Sequence, residues 1–270
     1  MKATDLIDDL NRRFADDDYG RRAPAALQRS SDGAVGSFQG LRLSTGVETL
    51  FAADGGISGH QAVTVVRGPH GRPLSAWVPY ALALDAQAIG WLDRLVRTLH
   101  VFNARAVLSL GRLWLAVHPL HLGAISGEFG AVFANLLARM RVHPSQIVLE
   151  IADADRMPRS RLMQALSGFR THGFGTACVL RGDDPGAFEQ VLSLHPDAVK
   201  LCRSHLYAAR ASLLGRERLA RRIAAIRAAG AHAWLRGVDD LPSTRLARAL
   251  DADGWQSGLL DARMLGGHGG

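Results

Sequence analysis

The chain has 270 residues, 47% of them hydrophobic, with a formal net charge of +7 and an isoelectric point near 10.3. That length suits one large α/β domain with a sizeable core, and apolar runs such as 81–84 and 113–117 fall far short of the ~20 residues that span a bilayer. Met1 to Asp18 mixes acids and bases and has no apolar stretch of the kind a secretory signal needs.

In chain order, Thr4 to Phe14 places Leu6, Ile7, Leu10 and Phe14 on one helical face, and Asp16 to Gly40, rich in Asp, Ser, Gly and Ala, reads as a linker or mobile arm. Residues 1–40 are thus expected to be a peripheral, partly flexible arm. Val63 to Val66 is a strand. Asp85 to Phe102 has helical spacing, with Ile89, Leu92, Leu95, Val96 and Leu99 on one side. Ala106 to Leu110 and Leu113 to Val117 are apolar and β-compatible. A helix is expected over Gly127 to Met140, a strand over Gln146 to Ile151, and a helix over Ser160 to His172 closed by Gly173. Strand–helix alternation continues: strand Thr176 to Leu180, helix Pro185 to Leu194, strand Ala198 to Leu201, helix Leu213 to Ala229 closed by Gly230, strand Ala231 to Leu235, helix Pro242 to Leu250. The tail, residues 266–270, carries no structural signal and is expected to be disordered.

This rhythm predicts a parallel sheet with helical crossovers, either a barrel or an open doubly wound sheet. No glycine-rich phosphate loop supports a dinucleotide fold; Gly55-Gly56 and the glycines at 173 and 175 read as turns. Lys2 and Lys200 are the only lysines among 32 basic residues. The basic balance therefore reads as an arginine-rich composition with solvated helix faces, and nucleic acid is not an expected partner. Arg203, Arg216, Arg218, Arg221, Arg222 and Arg227 read either as such a face or as a surface for an acidic protein. The cysteines, Cys178 and Cys202, form no disulfide framework and fit a reducing, cytoplasmic location.

Four ordered segments resemble the EAL domain, the family of cyclic di-GMP phosphodiesterases. Residues 145–153 (SQIVLEIAD) resemble the family's ERLELEITE strand, and 194–200 (LHPDAVK) resemble LPVDVLKID. Residues 230–239 (GAHAWLRGVD) resemble GLEVVAEGVE, and 251–256 (DADGWQ) resemble GCDYVQGY. Asp93-Arg94 fits a further family habit. The resemblance runs over about 41–265 and implies a TIM-type (β/α)8 barrel, with an active site at the C-terminal ends of its strands.

The resemblance also implies a two-metal site, with Mg or Mn held by a dense set of acidic oxygens. This chain departs from it at most positions. Gln61 stands at the name-giving glutamate and Val65 at the phosphate-binding arginine. His118 stands at the ligating asparagine. Counting back from Lys200 without gaps puts the aspartate pair on Val179 and Leu180. Cys202 replaces an aspartate and Arg236 a glutamate; Asp153 and Asp239 are shortened acids. Glu150, Lys200 and Gln256 are kept. A divalent ion needs anionic ligands to offset its dehydration, so no metal cofactor and no catalytic residues are expected. Arg236 is expected to pair with Glu150 in the space of the missing metals, and Lys200 with Glu150 or Asp153.

Alternatives exist at several of these positions. Asp183 and Asp184 would replace the acidic pair if the loop were shifted, although Asp184-Pro185 also reads as a helix cap. His118 and His121, joined by His60 or Glu150, would form a new metal site if brought together. Lys200 on a strand end is also a Schiff-base candidate. Trp114, Trp234 and Trp255 read as core or rim packing, and Trp77 and Trp91 as part of the first crossover. The resemblance then implies a non-catalytic regulatory protein acting on a protein partner in motility, biofilm or pilus signalling. The alternatives are a receptor that binds cyclic di-GMP without hydrolysis and, more remotely, an active phosphodiesterase. A homodimer is left open, and no membrane partner is expected.

Overall fold

The computed structural model describes residues 3–16, 19–22, 26–124 and 129–260. Helix α1 (Ala3–Ala15) is followed by strands β1 (Leu27–Ser30), β2 (Gly33–Phe38), β3 (Leu41–Ala52), β4 (Ile57–Arg67) and the two-residue β5 (Pro73–Leu74). Helices α2 (Val78–Leu82) and α3 (Ala86–Asn103) then lead into β6 (Arg112–Val117), α4 (Pro119–Ala124) and α5 (Ala131–Arg139). Alternation proper follows: β7 (Ile147–Ile151), α6 (Arg159–Thr171), β8 (Gly175–Leu180), α7 (Pro185–Leu192) and β9 (Ala198–Leu201). The chain ends with α8 (Arg203–Ala211), α9 (Leu213–Ala228), β10 (His232–Arg236), α10 (Leu241–Ala249) and β11 (Gly254–Leu260).

Helix boundaries follow from local chemistry. Asp85, Asp184, Ser212 and Asp240 cap α3, α7, α9 and α10 by accepting a backbone N–H of the first turn, at 2.7–3.0 Å. The alternative role for Asp184 is therefore the one it fills. Gly173 and Gly230, with φ of 79° and 80°, close α6 and α9 in the left-handed conformation that glycine tolerates.

The strands form one sheet ordered β1-β2-β3-β11-β10-β9-β8-β7-β6-β4-β5, and pairing of β3 with β4 closes the barrel. The predicted barrel is thus present, with one difference: β3 runs antiparallel to all three strands it pairs with, β2, β4 and β11. The cause is local. Gly55 (φ 92°) and the Ala52 N–H to Gly56 carbonyl bond (2.8 Å) make a hairpin turn, and a hairpin can only return antiparallel. Ala106 to Leu110, expected as β-compatible, forms a 3-10 turn over Arg105–Ser109. It reverses the chain between α3 and β6, and so short an apolar run does not encode its own backbone state. The helix expected from Gly127 starts at Ala131; 125–128 lie outside the described residues.

The largest correction concerns residues 1–40. In its described part this stretch is built into the core. Leu6, Ile7, Leu10 and Phe14 are buried, as are Leu27, Ala34, Val35 and Phe38. Asn11 bonds the Leu27 backbone in both directions, at 2.8 and 2.9 Å, standing in for a strand neighbour. The Trp91 indole N–H donates to the Phe14 carbonyl (3.2 Å), and the rings of Phe14, Tyr19 and Phe38 pack on Trp91 with centroids 5.3–6.1 Å away. The reason is the amphipathic face itself. Four large apolar side chains on one helix face find a complementary surface on α3 and β2. The tail at 266–270 lies outside the described residues.

The core has two parts. Between strands and helices lies a continuous apolar layer. Inside the barrel, Leu50, Trp114, Val148, Ala177, Ala198 and Trp234 form a separate plug, with Trp114 and Trp234 5.2 Å apart. On the outer side, His100 of α3 joins the hairpin: its ring nitrogens bond Thr45 (2.9 Å) and Thr64 (3.0 Å).

Two outcomes follow from this packing. Removing residues 1–40 strips the cover from Trp91, Leu95 and Leu99, so the truncated barrel is expected to lose its cooperative thermal transition; an unchanged melt would refute this. Leu10→Ala alone should cost about 2–4 kcal/mol in urea unfolding. Burial also lowers the pKa of both His100 and His121 from 6.5 to about 4. The unfolded chain takes up these protons at higher pH than the folded one. Stability is therefore expected to fall as pH drops from 6.5 to about 4. His100→Gln should flatten that slope in urea unfolding at stepped pH.

Candidate functional site

Alternation along the strands decides what faces the lumen. Parallel registers place Gln61 level with Trp114, Glu150 with Ala177, Val179 with Lys200, and Arg236 with Gln256. Glu48 on β3 lies directly opposite Gln61 on β4. The polar ones among them, Glu48, Gln61, Glu150, Lys200, Arg236 and Gln256, form a layer against the tryptophan plug, toward the C-terminal ends of the parallel strands, where barrel enzymes keep their chemistry.

Lys200 is its centre. The side chain is fully buried, and its ammonium lies 4.6 Å above the Trp114 ring. It donates to Gln61 Oε1 at 2.9 Å and to Gln256 Oε1 at 2.8 Å, and forms an ion pair with Glu150 Oε2. Gln256 Nε2 in turn donates to Glu48 Oε2, and Gln61 Nε2 to the Trp114 carbonyl (3.3 Å). Burial lowers the Lys200 pKa from its usual value, and the Glu150 carboxylate opposes that shift. An amine this enclosed, with each proton directed at an oxygen, is not open to a carbonyl substrate, so the Schiff-base alternative finds no support.

The expected pairing of Lys200 with Glu150 is present. Pairing of Arg236 with Glu150 is not: Lys200 takes that place. Trp234, not Arg236, is level with Lys200, so Arg236 lies one inward position further along β10. It stays close enough for its charge to act on both Lys200 and Cys202. Asp153 pairs with Arg181 rather than with Lys200.

The remaining positions are occupied in other ways. Val179 and Leu180 are buried apolar residues of β8. Asp183 turns outward to Arg222 (3.3 Å) and His205 (3.4 Å), so the shifted acidic pair does not enter the lumen layer. Arg222 is buried, with its guanidinium also bonded to the Gly182 carbonyl (3.0 Å), while Arg216, Arg218 and Arg221 are exposed. Asp239 pairs with Arg203 (2.8 Å). Cys202 is half-buried at the start of α8, and burial raises its thiol pKa, away from nucleophilic thiolate.

His118, at the end of β6, stacks on Tyr80 (centroids 3.7 Å) and meets the edge of Trp77 (4.7 Å). Its Nδ1 accepts from the Leu120 N–H (3.2 Å), and burial lowers its pKa, which favours the neutral ring. His121 belongs to a different cluster, beside Asp93 (3.5 Å) and Arg97 (3.3 Å). Asp93 and Arg97 form a buried ion pair of 2.5 Å, and Asp93 accepts the His118 backbone N–H (3.3 Å). Among the described residues no group of three or more His, Cys, Asp or Glu is placed to hold a metal ion.

Divalent metals do not fit this donor set. Two carboxylates, Glu48 and Glu150, face the layer, and each is already bonded to a protein group. The other positions offer two amides, a valine, an ammonium and a guanidinium. Glu48 was not singled out from the sequence. Its signal was a lone acid in the apolar run of β3, legible only once β3 is known to pair with β4. Trp77 is 46% exposed, with Arg181 5.9 Å above its ring.

Removing one partner of a buried pair leaves a charge unanswered. Lys200→Met is therefore expected to cost about 3–5 kcal/mol in chemical unfolding. Adding Glu150→Gln to it should recover part of that loss; a single-variant cost below about 1 kcal/mol would show that the pair is not structural.

Comparison with known proteins agrees with this architecture. The structure resembles the PaMucR phosphodiesterase in complex with c-di-GMP, at 16% identity over 83% of this chain and 96% of that one, with a TM-score of 0.66. It resembles the FimX EAL domain from Pseudomonas aeruginosa bound to c-di-GMP, at 17% identity over 80% and 88%, TM-score 0.67. It also resembles a standalone EAL protein from Vibrio cholerae O395 in its c-di-GMP-bound form, at 13% identity over 80% and 89%, TM-score 0.65. Among curated proteins nothing matches. The EAL domain profile matches residues 50–259, so the chain belongs to the EAL domain family.

Proposed function

We propose that this chain is a non-hydrolysing EAL-domain regulator that acts by binding a protein partner in cyclic di-GMP-linked signalling, such as control of motility, biofilm or pili. The observation that carries this reading is the Lys200 network. In-line phosphodiester hydrolysis by two metals needs clustered free carboxylates. Here Glu150 is neutralised by Lys200, Glu48 accepts from Gln256, and Arg236 adds positive charge beside them.

A second reading, a cyclic di-GMP receptor, is favoured by the rim. Trp77 offers a half-exposed ring for stacking a base, and Arg181 and Arg236 offer positive charge for phosphates. Both readings share the loss of hydrolysis and differ in whether nucleotide binds.

With manganese and cyclic di-GMP, no linear dinucleotide is expected above the protein-free blank; turnover would overturn the proposal. Calorimetric titration with cyclic di-GMP separates the two readings. Absence of binding heat supports the interaction protein, and a saturable isotherm lost in Trp77→Ala supports the receptor. For the first reading, tagged full-length chain should retain a stoichiometric protein partner from its native lysate.

A further inference from the structure

The arginines between 203 and 227 read from the sequence either as a solvated face or as a surface for an acidic protein, and their pairing in the structure divides them. On α8, Arg203 and Arg210 are held by Asp239 and Asp240, at 2.8 and 2.9 Å. On α9, Arg222 is buried against Asp183 (3.3 Å) and Arg227 pairs with Asp253 (3.7 Å). Arg216, Arg218 and Arg221 are exposed and have no hydrogen-bond or ion-pair partner among the described residues. Glu217, the one acid of α9, pairs with none of them. The exposed side of α9 is thus left with three unanswered guanidiniums against one carboxylate.

Leu214, Arg218 and Arg221, at i, i+4 and i+7, share one face of α9. Leu213 and Leu214 are 71% and 58% exposed in its first turn. Leu219, Ile223 and Ile226 hold the helix to the barrel, so the two leucines lie outside its buried apolar stripe. Beside Arg218 the surface is concave. A groove of about 240 Å3 runs between α8 and α9, lined in part by Ala208, Gly215, Arg218 and Leu219. Gly215 fixes its width, because a Cβ there would clash with the Ala208 carbonyl, and the two helices therefore meet backbone to backbone. Arg181 and Arg222 also border the groove, but Asp153 answers the first and Asp183 the second, which leaves Arg218 as its free cation.

We propose, resting on the partner-binding reading above, that this face of α9 docks an acidic, amphipathic segment of the partner protein. Its Asp or Glu side chains lie on Arg218 and Arg221, and an apolar side chain covers Leu214 beside the groove. Charge complementarity selects the acid, and the exposed leucines set among the guanidiniums favour a protein over the uniformly charged backbone of a nucleic acid.

Photo-cross-linking in native lysate tests this, with tagged full-length chain carrying p-benzoylphenylalanine in place of exposed Leu213, or of exposed Val132 on α5 as the control. At Leu213 a stoichiometric partner is expected to be joined through a peptide with an excess of Asp and Glu, in a yield that falls as ionic strength rises; at Val132 it is not. Reversing both charges, Arg218→Glu with Arg221→Glu, should lower the yield at least about tenfold, whereas Arg72→Glu, at an exposed arginine of the β4–β5 turn, should leave it unchanged. Thermal melts confirm that each variant is folded. A partner retained equally by the double variant, or joined at Leu213 through a segment without acidic excess, would overturn this site and leave the partner-binding reading standing. Nucleic acid cross-linked at Leu213 in the partner's place would overturn the site as well. Failure of the wild-type chain to retain any stoichiometric partner would overturn the reading itself, and the site with it.

Discussion

The ammonium of Lys200 sits in the barrel lumen with its protons directed at Gln61, Gln256 and Glu150, and the rest of the polar layer is arranged around it. A buried charge is tolerated only when paired and hydrogen-bonded. Here one cation does several things at once. It neutralises Glu150, orients two glutamine side chains through their carbonyl oxygens, and by turning Gln256 aims an amide N–H at Glu48. Four strands, β4, β7, β9 and β11, meet in its hydrogen bonds and ion pair, with β6 added by the Trp114 ring and β3 joined through Glu48. The layer is therefore a structural cross-brace of the barrel. Substituting an acid elsewhere in the lumen would not by itself create a metal site, because the existing carboxylates are already committed.

That brace depends on the scaffold around it. The antiparallel hairpin of β3 and β4 closes the barrel and places Glu48 opposite Gln61. Residues upstream of it cover α3, whose opposite side carries the Asp93–Arg97 pair that receives the His118 backbone. The chain of contacts runs from Phe14 through Trp91 and α3 to the mouth. The N-terminal segment thus packs on the helix that carries the mouth's Asp93–Arg97 pair, although it lies outside the matched residues 50–259.

Much of the fold was legible because period and punctuation agreed. Over 147–249 the strands are mostly short apolar runs, and α6, α7, α9 and α10 are each marked by an aspartate or serine cap, a proline or a closing glycine; α8, whose preceding Cys202 makes no side-chain cap, carries no such mark and was not expected. The stretch before α3 was less legible. Polar spacing in 16–40 resembles a linker, and only the partners on α3 show that Leu27, Ala34 and Phe38 are core residues. Within the site, Lys200, Glu150 and Gln256 were readable from the family motifs they match. Their hydrogen-bond partners were not. Reach across a lumen is set by strand register and shear, so Arg236 was expected where Lys200 is found. Glu48 was invisible for the same reason: the antiparallel strand that carries it broke the expected βα rhythm.

The central claim is that the lumen carboxylates are satisfied by the protein's own cation and amides, which leaves divalent metal no site. Direct titration of the full chain with manganese, followed by the electron paramagnetic resonance of free ion, tests this without relying on turnover. The account predicts that added manganese remains free up to millimolar concentration, with no stoichiometric bound fraction. Two equivalents bound at micromolar concentration, and lost in Glu150→Gln, would contradict it.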